Sequence, residues 1–268
     1  MNLLEKEMFE VLKSLRDDYG VVGVKAEFEA EGTRIDELMR LIEIVRKLNL
    51  NLGIKIGGCE AMKDLMECKQ LGTEYIIAPM VETDYALKKF IDAKNKIFNK
   101  DETSSTEFLI NIETKSTLKN IDNIIKECSS HETKKGIDGF VFGRVDFTLS
   151  CGLARDDINL IDNNVVTDAV LQVSKKIKEN GLSLVVGGGV SLDALPILKK
   201  VREIKLDRFE TRKVIFSQKA LDISNLQEGM MQAVKFELLW LKNKKNYYEA
   251  IFKEDDLRIK MLSERWIK

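Results

Sequence analysis

The sequence predicts an α/β fold, a single (β/α)8 barrel domain spanning residues 1–268, with residues 224–268 as a C-terminal helical extension. Three observations predict it. Short apolar runs alternate with runs of helical period along most of the chain, the pattern of a parallel sheet with helices outside it. Charged residues gather at the C-terminal ends of many different strand-like runs, where barrels carry their sites. No G-x-G-x-x-G follows the first strand, as an open dinucleotide-binding sheet would require.

The elements follow in order. Residues 2–18 read as a helix, with Leu3, Leu4, Met8, Val11, Leu12 and Leu15 near a 3.6 period. VVGVKAEFE (21–29) is a strand, and IDELMRLIEIVRKL (35–48) a helix with Thr33 as its candidate cap. NLGIKIGG (51–58) is a strand before helix 59–71, and EYIIAPMV (74–81) a strand before helix 84–98. EFLINIET (107–114) precedes helix 116–129, and GFVFGRVD (139–146) precedes helix 164–179. LSLVVGGG (182–189) leads into a short helix, 191–201. KLDRFETRKVIF (205–216) is the last strand-like run, and helices 224–243 and 246–265 close the chain. These are seven visible strands, so one barrel strand is unrecognised or replaced.

Composition narrows the function. The 268 residues are 44% hydrophobic and 32% charged, with a net charge of -1. Neither nucleic-acid binding nor a polybasic membrane patch is indicated, and no apolar run approaches the roughly 18 residues that span a bilayer. The N-terminus carries acids throughout and does not read as a signal peptide. The four cysteines (Cys59, Cys68, Cys128, Cys151) make no C-x-x-C pair, which suits a cytoplasmic protein with reduced thiols. The one histidine, His131, lies in the polar stretch SSHETKK, so zinc is disfavoured and acid–base chemistry falls to other groups.

The strand ends supply those groups. Glu113 closes FLINIET and Asp146 closes FVFGRVD, on neighbouring strands. Two such carboxylates can hold one hard divalent cation, Mg2+ or Mn2+, leaving positions for water and substrate oxygens; alternatively, each pairs with a nearby Lys or Arg or caps the next helix. VVGGGVSLDAL (185–195) sets Gly188, Gly189 and Ser191 before a helix N-terminus, an anion site for a phosphorylated substrate or simply a tight turn with Ser191 as N-cap. Strand alternation puts Glu210 and Arg212 on one face, as an internal ion pair that positions substrate or as a structural one, with Lys213 opposite. Lys25, Glu27 and Glu29 likewise share a face. If it points inward, the acids keep Lys25 charged, which argues against a Schiff-base role.

FLINIET, GIDGFVFGRVDFTLSCGL (136–153) and IAPMVET (77–83) together resemble the HpcH/HpaI aldolase and citrate lyase beta-subunit superfamily. The matching elements span about residues 20–216. The resemblance implies a metal-dependent TIM barrel that makes or breaks a C–C bond beside a carboxylate, with pyruvate, other 2-oxo acids or acyl-CoA. It makes Glu113 and Asp146 the metal ligands, and the backbone around Gly143, Arg144 and Val145 the cradle of a substrate carboxylate. It also implies a homo-oligomer through the C-terminal helices. Three positions depart from the family pattern. Lys55 stands where its aldolases often carry arginine, no histidine base follows VKAEFEAEG, and position 144 is arginine. Lys55, with Arg212, is then the candidate for neutralising an enolate or binding carboxylate, and Glu27 or Glu29 for moving the proton. The expected enzyme is a metal-dependent carbon–carbon lyase or aldolase acting on a 2-oxo acid. The alternatives are a phosphate-binding barrel lyase or isomerase with a Lys nucleophile, and a non-catalytic relative that binds a metabolite or partner. No motif indicates CoA binding.

Overall fold

Eight strands close into a barrel in sequence order. The computed structural model describes residues 1–128, 136–159 and 165–266; His131 lies outside them. β1 (Val21–Glu27), β2 (Asn51–Lys55), β3 (Tyr75–Ala78), β4 (Glu107–Ile112), β5 (Gly139–Gly143), β6 (Ser183–Gly187) and β7 (Arg208–Glu210) run parallel. β8 (Val214–Ser217) is antiparallel to both its neighbours, β7 and β1.

This accounts for the strand missing from the sequence reading. The run 205–216 holds two strands, not one, folded back at Thr211–Lys213 with Thr211 N and Val214 O bonded across the turn. The turn has no Gly, Pro, Asn or Asp, so the usual turn signal is absent. A hairpin thus replaces the seventh crossover helix and closes the barrel.

The helices pack outside. α1 (Leu3–Tyr19) begins with a capping box between Asn2 and Glu5 and plugs against α9 (Leu226–Trp266), its most extensive helix contact. α2 (Ile35–Lys47) has Arg34, not Thr33, at its N-cap; the Thr33 hydroxyl turns to Glu31 instead. α3 (Met62–Leu71) starts three residues later than the sequence suggested. α4 (Asp84–Ile97), α5 (Lys115–Cys128), α7 (Val165–Glu179) and α8 (Leu195–Ile204) complete the ring, each burying an apolar stripe against the sheet. The two predicted C-terminal helices are one. The KNKKN stretch between them carries no glycine or proline to break it, and α9 runs 41 residues, about 60 Å. Among the described residues no helix is long and apolar enough to cross a membrane.

Register sorts the barrel interior into layers, because alternate residues of a strand face the same way. Asn51, Tyr75, Glu107 and Arg208 sit at the strands' N-terminal ends. Ile77, Leu109, Val141 and Val185 form a small apolar cluster of their own above them. Lys25, Lys55, Asn111, Gly143, Gly187 and Glu210 lie above that, toward the C-terminal ends, and open on a cavity. The apolar layer separates a polar floor, its charges paired with each other, from a polar mouth.

Candidate active site

The mouth holds a cavity of about 580 Å³, lined by side chains from most of the strands. Of the residues proposed from sequence, Glu27, Glu29, Lys55, Glu113, Gly143, Val145, Asp146, Gly188, Gly189 and Arg212 line it. Arg144 and Ser191 do not.

Glu113 is the most constrained of them, 2% exposed just past the end of β4. Its Oε1 accepts from the Met80 backbone N–H at 2.9 Å and its Oε2 from Asn111 Nδ2 at 2.6 Å. Met80 holds that N–H in place with φ at 51°, a left-handed conformation uncommon for a side chain of its size. Lys55 Nζ stands 3.5 Å from Glu113 Oε2 and 2.9 Å from Glu29 Oε2. The two glycines of the upper layer make room for carboxylates. A Cβ on Gly143 would lie 3.2 Å from Glu113 Oε2, and one on Gly187 2.9 Å from Glu210 Oε1. Glu113 and Glu210 therefore each lie against a neighbouring strand end that carries no side chain.

Asp146 reaches the cavity from a different element than predicted. β5 ends at Gly143, and α6 (Arg144–Ser150) starts at once, so Asp146 sits in a helix's first turn, where the backbone N–H groups favour an acid. It faces the open mouth. Its carboxylate has no hydrogen bond or ion pair among the described residues. The cavity walls desolvate it and Glu113 repels it, so its pKa is raised, with Lys55 only partly offsetting them.

The same early helix start corrects Arg144. Its side chain points away from the cavity and is wholly buried, donating from Nη2 to Ile158 O at 2.8 Å and to Asn159 Oδ1. Burial lowers its pKa to about 10. Gly188 (φ 78°) packs against the backbone at this point; a Cβ there would lie 2.8 and 2.7 Å from the Arg144 and Val145 nitrogens. Ser191 is exposed beyond the loop and makes no capping bond either.

Arg212 is likewise corrected. Because 211–213 is a turn, strand alternation does not apply there, and Arg212 sits at the rim with a side chain 54% exposed, bonded to Glu31 at 3.0 Å. Lys213, almost fully buried, shares Glu31. Glu210 pairs instead with Lys25, at 2.5 Å, and Glu27 completes that cluster at 3.4 Å. Burial alone would lower the Lys25 pKa, but Glu210 and Glu27 outweigh it and leave it raised. Lys55 is raised in the same way, by Glu113 and Glu29 against burial.

Sequence reasoning missed Asn111, Met80, Glu31 and Arg155. Asn111 was findable, since it shares the Glu113 face of a strand that otherwise reads apolar. Nothing in the sequence marks Met80 as left-handed.

The model of the HpcH/HpaI aldolase/citrate lyase family matches residues 26–204. The chain belongs to this family. The matched span holds Glu27, Glu29, Lys55, Glu113, Asp146 and the glycine loop; Glu210 and Arg212 lie outside it. Among solved structures, RipC from Yersinia pestis is similar at 14% identity and a TM-score of 0.49, covering 77% of this chain and 87% of that one. No curated protein matches. Members of the family are generally aldolases and lyases, and lyase-type chemistry is the activity the family suggests for this barrel.

A metal is tested by the donors themselves. Among the described residues no cluster of three or more His, Cys, Asp or Glu side chains forms a cage. Glu113 and Asp146 nevertheless offer two carboxylates on one cavity wall, with Asp146 in no hydrogen bond or ion pair among the described residues. That fits a hard divalent ion bound by few protein ligands and otherwise by water and substrate oxygens.

Proposed function

We propose that the chain is a Mg2+- or Mn2+-dependent carbon–carbon lyase or aldolase acting on a 2-oxo acid. The carrying observation is the pair Glu113 and Asp146 on one wall, with Asp146 unpartnered and its pKa raised. Glu113 and Asp146 would hold the ion, which when bound supplies Lewis-acid polarisation of the substrate's oxygens.

The chain's own groups do the rest. Lys55, held charged between Glu29 and Glu113, lowers the energy of negative charge developing on an enolate oxygen. Asn111 and the Met80 N–H fix Glu113, so the carboxylate does not reorganise during reaction. Glu29, 30% exposed and within reach of the cavity, is better placed than the deeper Glu27 to move a proton to or from the substrate carbon. Lys25 and Lys55 are both kept protonated by carboxylates, which counts against an imine-forming lysine. A homo-oligomer in the cytoplasm belongs to the same reading; the outer half of α9 exposes Phe252, Ile259, Leu262 and Trp266 along one face, which a second copy could cover.

Calorimetric titration of Mn2+ into the wild type, Glu113→Gln and Asp146→Asn tests the site, with and without oxalate as an enolate mimic. The expected result is Mn2+ binding that oxalate tightens and that both substitutions abolish. Absence of Mn2+ binding to the wild type, with or without oxalate, overturns the reading. Metal binding with no turnover on a panel of 2-oxo acids would identify a non-catalytic relative.

A further inference from the structure

The geometry points to Arg155 as the specificity residue of this site, binding a second anionic group, carboxylate or phosphate, at the far end of a 2-oxo acid whose near end lies at Glu113 and Asp146. The inference rests on the reading of that pair given above.

The charges on the cavity wall decide it. Four cations line the cavity: Lys25, Lys55, Arg155 and Arg212. Three have carboxylate partners. Lys25 has Glu210 and Glu27, Lys55 has Glu29 and Glu113, and Arg212 has Glu31. Arg155 has neither an ion pair nor a hydrogen bond among the described residues. Of the acids on the same wall (Glu27, Glu29, Glu113, Asp146, Glu210), all but Asp146 stand in one of those pairs. One charge of each sign is therefore left over, and the two do not pair with each other. A ligand that satisfies both presents a cation at Asp146 and an anion at Arg155. A metal-chelated 2-oxo acid with a distal acidic group has that form.

The residue type fits. Guanidinium stays charged throughout the physiological range, and its planar fork takes a carboxylate or phosphate through two parallel bonds. The segment is also held in place. Arg155 opens the turn Arg155–Asn159, and Arg144 grips the far end of that turn from below through Ile158 O and Asn159. Ile158 closes against Gly189, where a Cβ would come within 2.9 Å of its Cδ1. Asp157 caps the start by accepting from Ala154 N at 3.0 Å. This gives the buried Arg144 a use: it fixes the turn that carries the exposed arginine to the cavity rim.

Binding of matched probes tests it. 2-Oxoglutarate and 2-oxopentanoate have the same chain length and differ in the terminal carboxylate, as do oxaloacetate and 2-oxobutanoate one carbon shorter. Each is titrated calorimetrically into the wild type, Arg155→Gln and Arg155→Lys, with and without Mn2+, alongside oxalate. The wild type should favour the dianion of at least one pair by about tenfold or more. Arg155→Gln should bring that ratio to about one while leaving oxalate affinity unchanged, and Arg155→Lys should fall between. A phosphonate-terminated analogue ranked against 2-oxoglutarate separates the two anion sources. Equal wild-type affinity within both pairs, or a preference that survives in Arg155→Gln, overturns the role of Arg155. Oxalate that fails to bind with Mn2+ overturns the metal reading instead, and a preference that then persists without Mn2+ and vanishes in Arg155→Gln leaves Arg155 standing. Thermal unfolding of the variants should match the wild type, since the side chain is exposed.

Discussion

The two polar ends of the barrel interior bury similar groups to different effect. At the floor, Arg208 meets Glu107 through two parallel bonds of 2.9 and 2.5 Å, its guanidinium lies 4.3 Å over the Tyr75 ring, and Asn51 donates to the Tyr75 hydroxyl at 2.5 Å. At the mouth, Lys25, Lys55, Glu27, Glu29, Glu113 and Glu210 form comparable pairs, yet Asp146 and Arg155 remain without partners. Ionic groups inside the barrel do not by themselves mark a site. Charges left over once the pairing is complete do.

The same chemical change at the two ends should break the molecule in different ways. Glu113→Gln is expected to weaken Mn2+ binding by about 100-fold or more, and to cost about 2 kcal/mol as well, because its amide nitrogen then faces a donor, Met80 N–H or Asn111 Nδ2, and Lys55 loses a partner. Glu107→Gln should leave Mn2+ binding as it is and cost about 2 kcal/mol of stability, because it strands a mostly buried guanidinium; the half-exposed carboxylate keeps the loss below that of a fully buried pair. Calorimetry and urea unfolding of both variants measure the two effects. A large Mn2+ effect in Glu107→Gln would erase the distinction.

A milder perturbation sharpens it. In Gly143→Ala the new Cβ would stand 3.1 Å from Glu113 Cβ and 3.2 Å from its Oε2, so the carboxylate must shift by a few tenths of an ångström. Mn2+ affinity should fall by about tenfold, the scale of a displaced ligand rather than a lost one. Unchanged affinity would show that Glu113 is free to move, contrary to its clamps from Asn111 and Met80.

The difference between the ends was only partly legible in the sequence. The alternation of strands and helices gave the barrel, and Glu113 could be placed because it ends an apolar strand whose parity is fixed. Asp146 was placed on the right wall by the wrong element, since nothing in GRVD announces that the helix starts directly after the strand. The Thr211–Lys213 turn has ordinary residues, so two strands read as one and Arg212 was assigned to an interior face that does not exist. The pairing of charges was beyond reach. Lys25 and Glu210 meet only because the barrel closes, and their separation in sequence leaves no periodicity to reveal it. Without those pairs, Arg155 looks like any loop arginine.

Outside the barrel, Glu5 gives a third kind of ionic contact, one that ties helices together. It accepts two bonds from Arg40 on α2 (2.9 and 2.7 Å), one from the Asn2 backbone and one from Asn243 on α9. The Arg40 bonds foremost, working against burial, lower its pKa to about 2. A lowered carboxyl contributes stability that is present above its ordinary value near 4.5 and is lost as the pH falls toward 2. Glu5→Gln should therefore unfold several degrees below the wild type at pH 7, and the gap should narrow as both are acidified through that window. A gap independent of pH would mean that packing, not charge, sets the contribution of Glu5.

Asp146 should show the opposite sign, with the smallest effect. Its pKa is raised, so the folded protein disfavours the ionised form. Below the ordinary value of 3.8 the wild type and Asp146→Asn should be equally stable. As the pH rises through the raised folded value, the wild type alone loses stability, and the variant should unfold higher at pH 7, by about 1 °C. Contact with solvent and the favourable helix position of an acid both keep that gain small. Mn2+ should reverse the order. An ion that binds only the folded wild type raises its midpoint by mass action, whereas the variant has lost a ligand and should not respond. Melting curves of both proteins across pH 3–8, with and without Mn2+, should therefore cross. The crossing is the signature of a carboxylate kept at some cost to stability because a cation is meant to meet it; an Asp146→Asn variant less stable than the wild type at neutral pH without metal would show that Asp146 serves the fold instead.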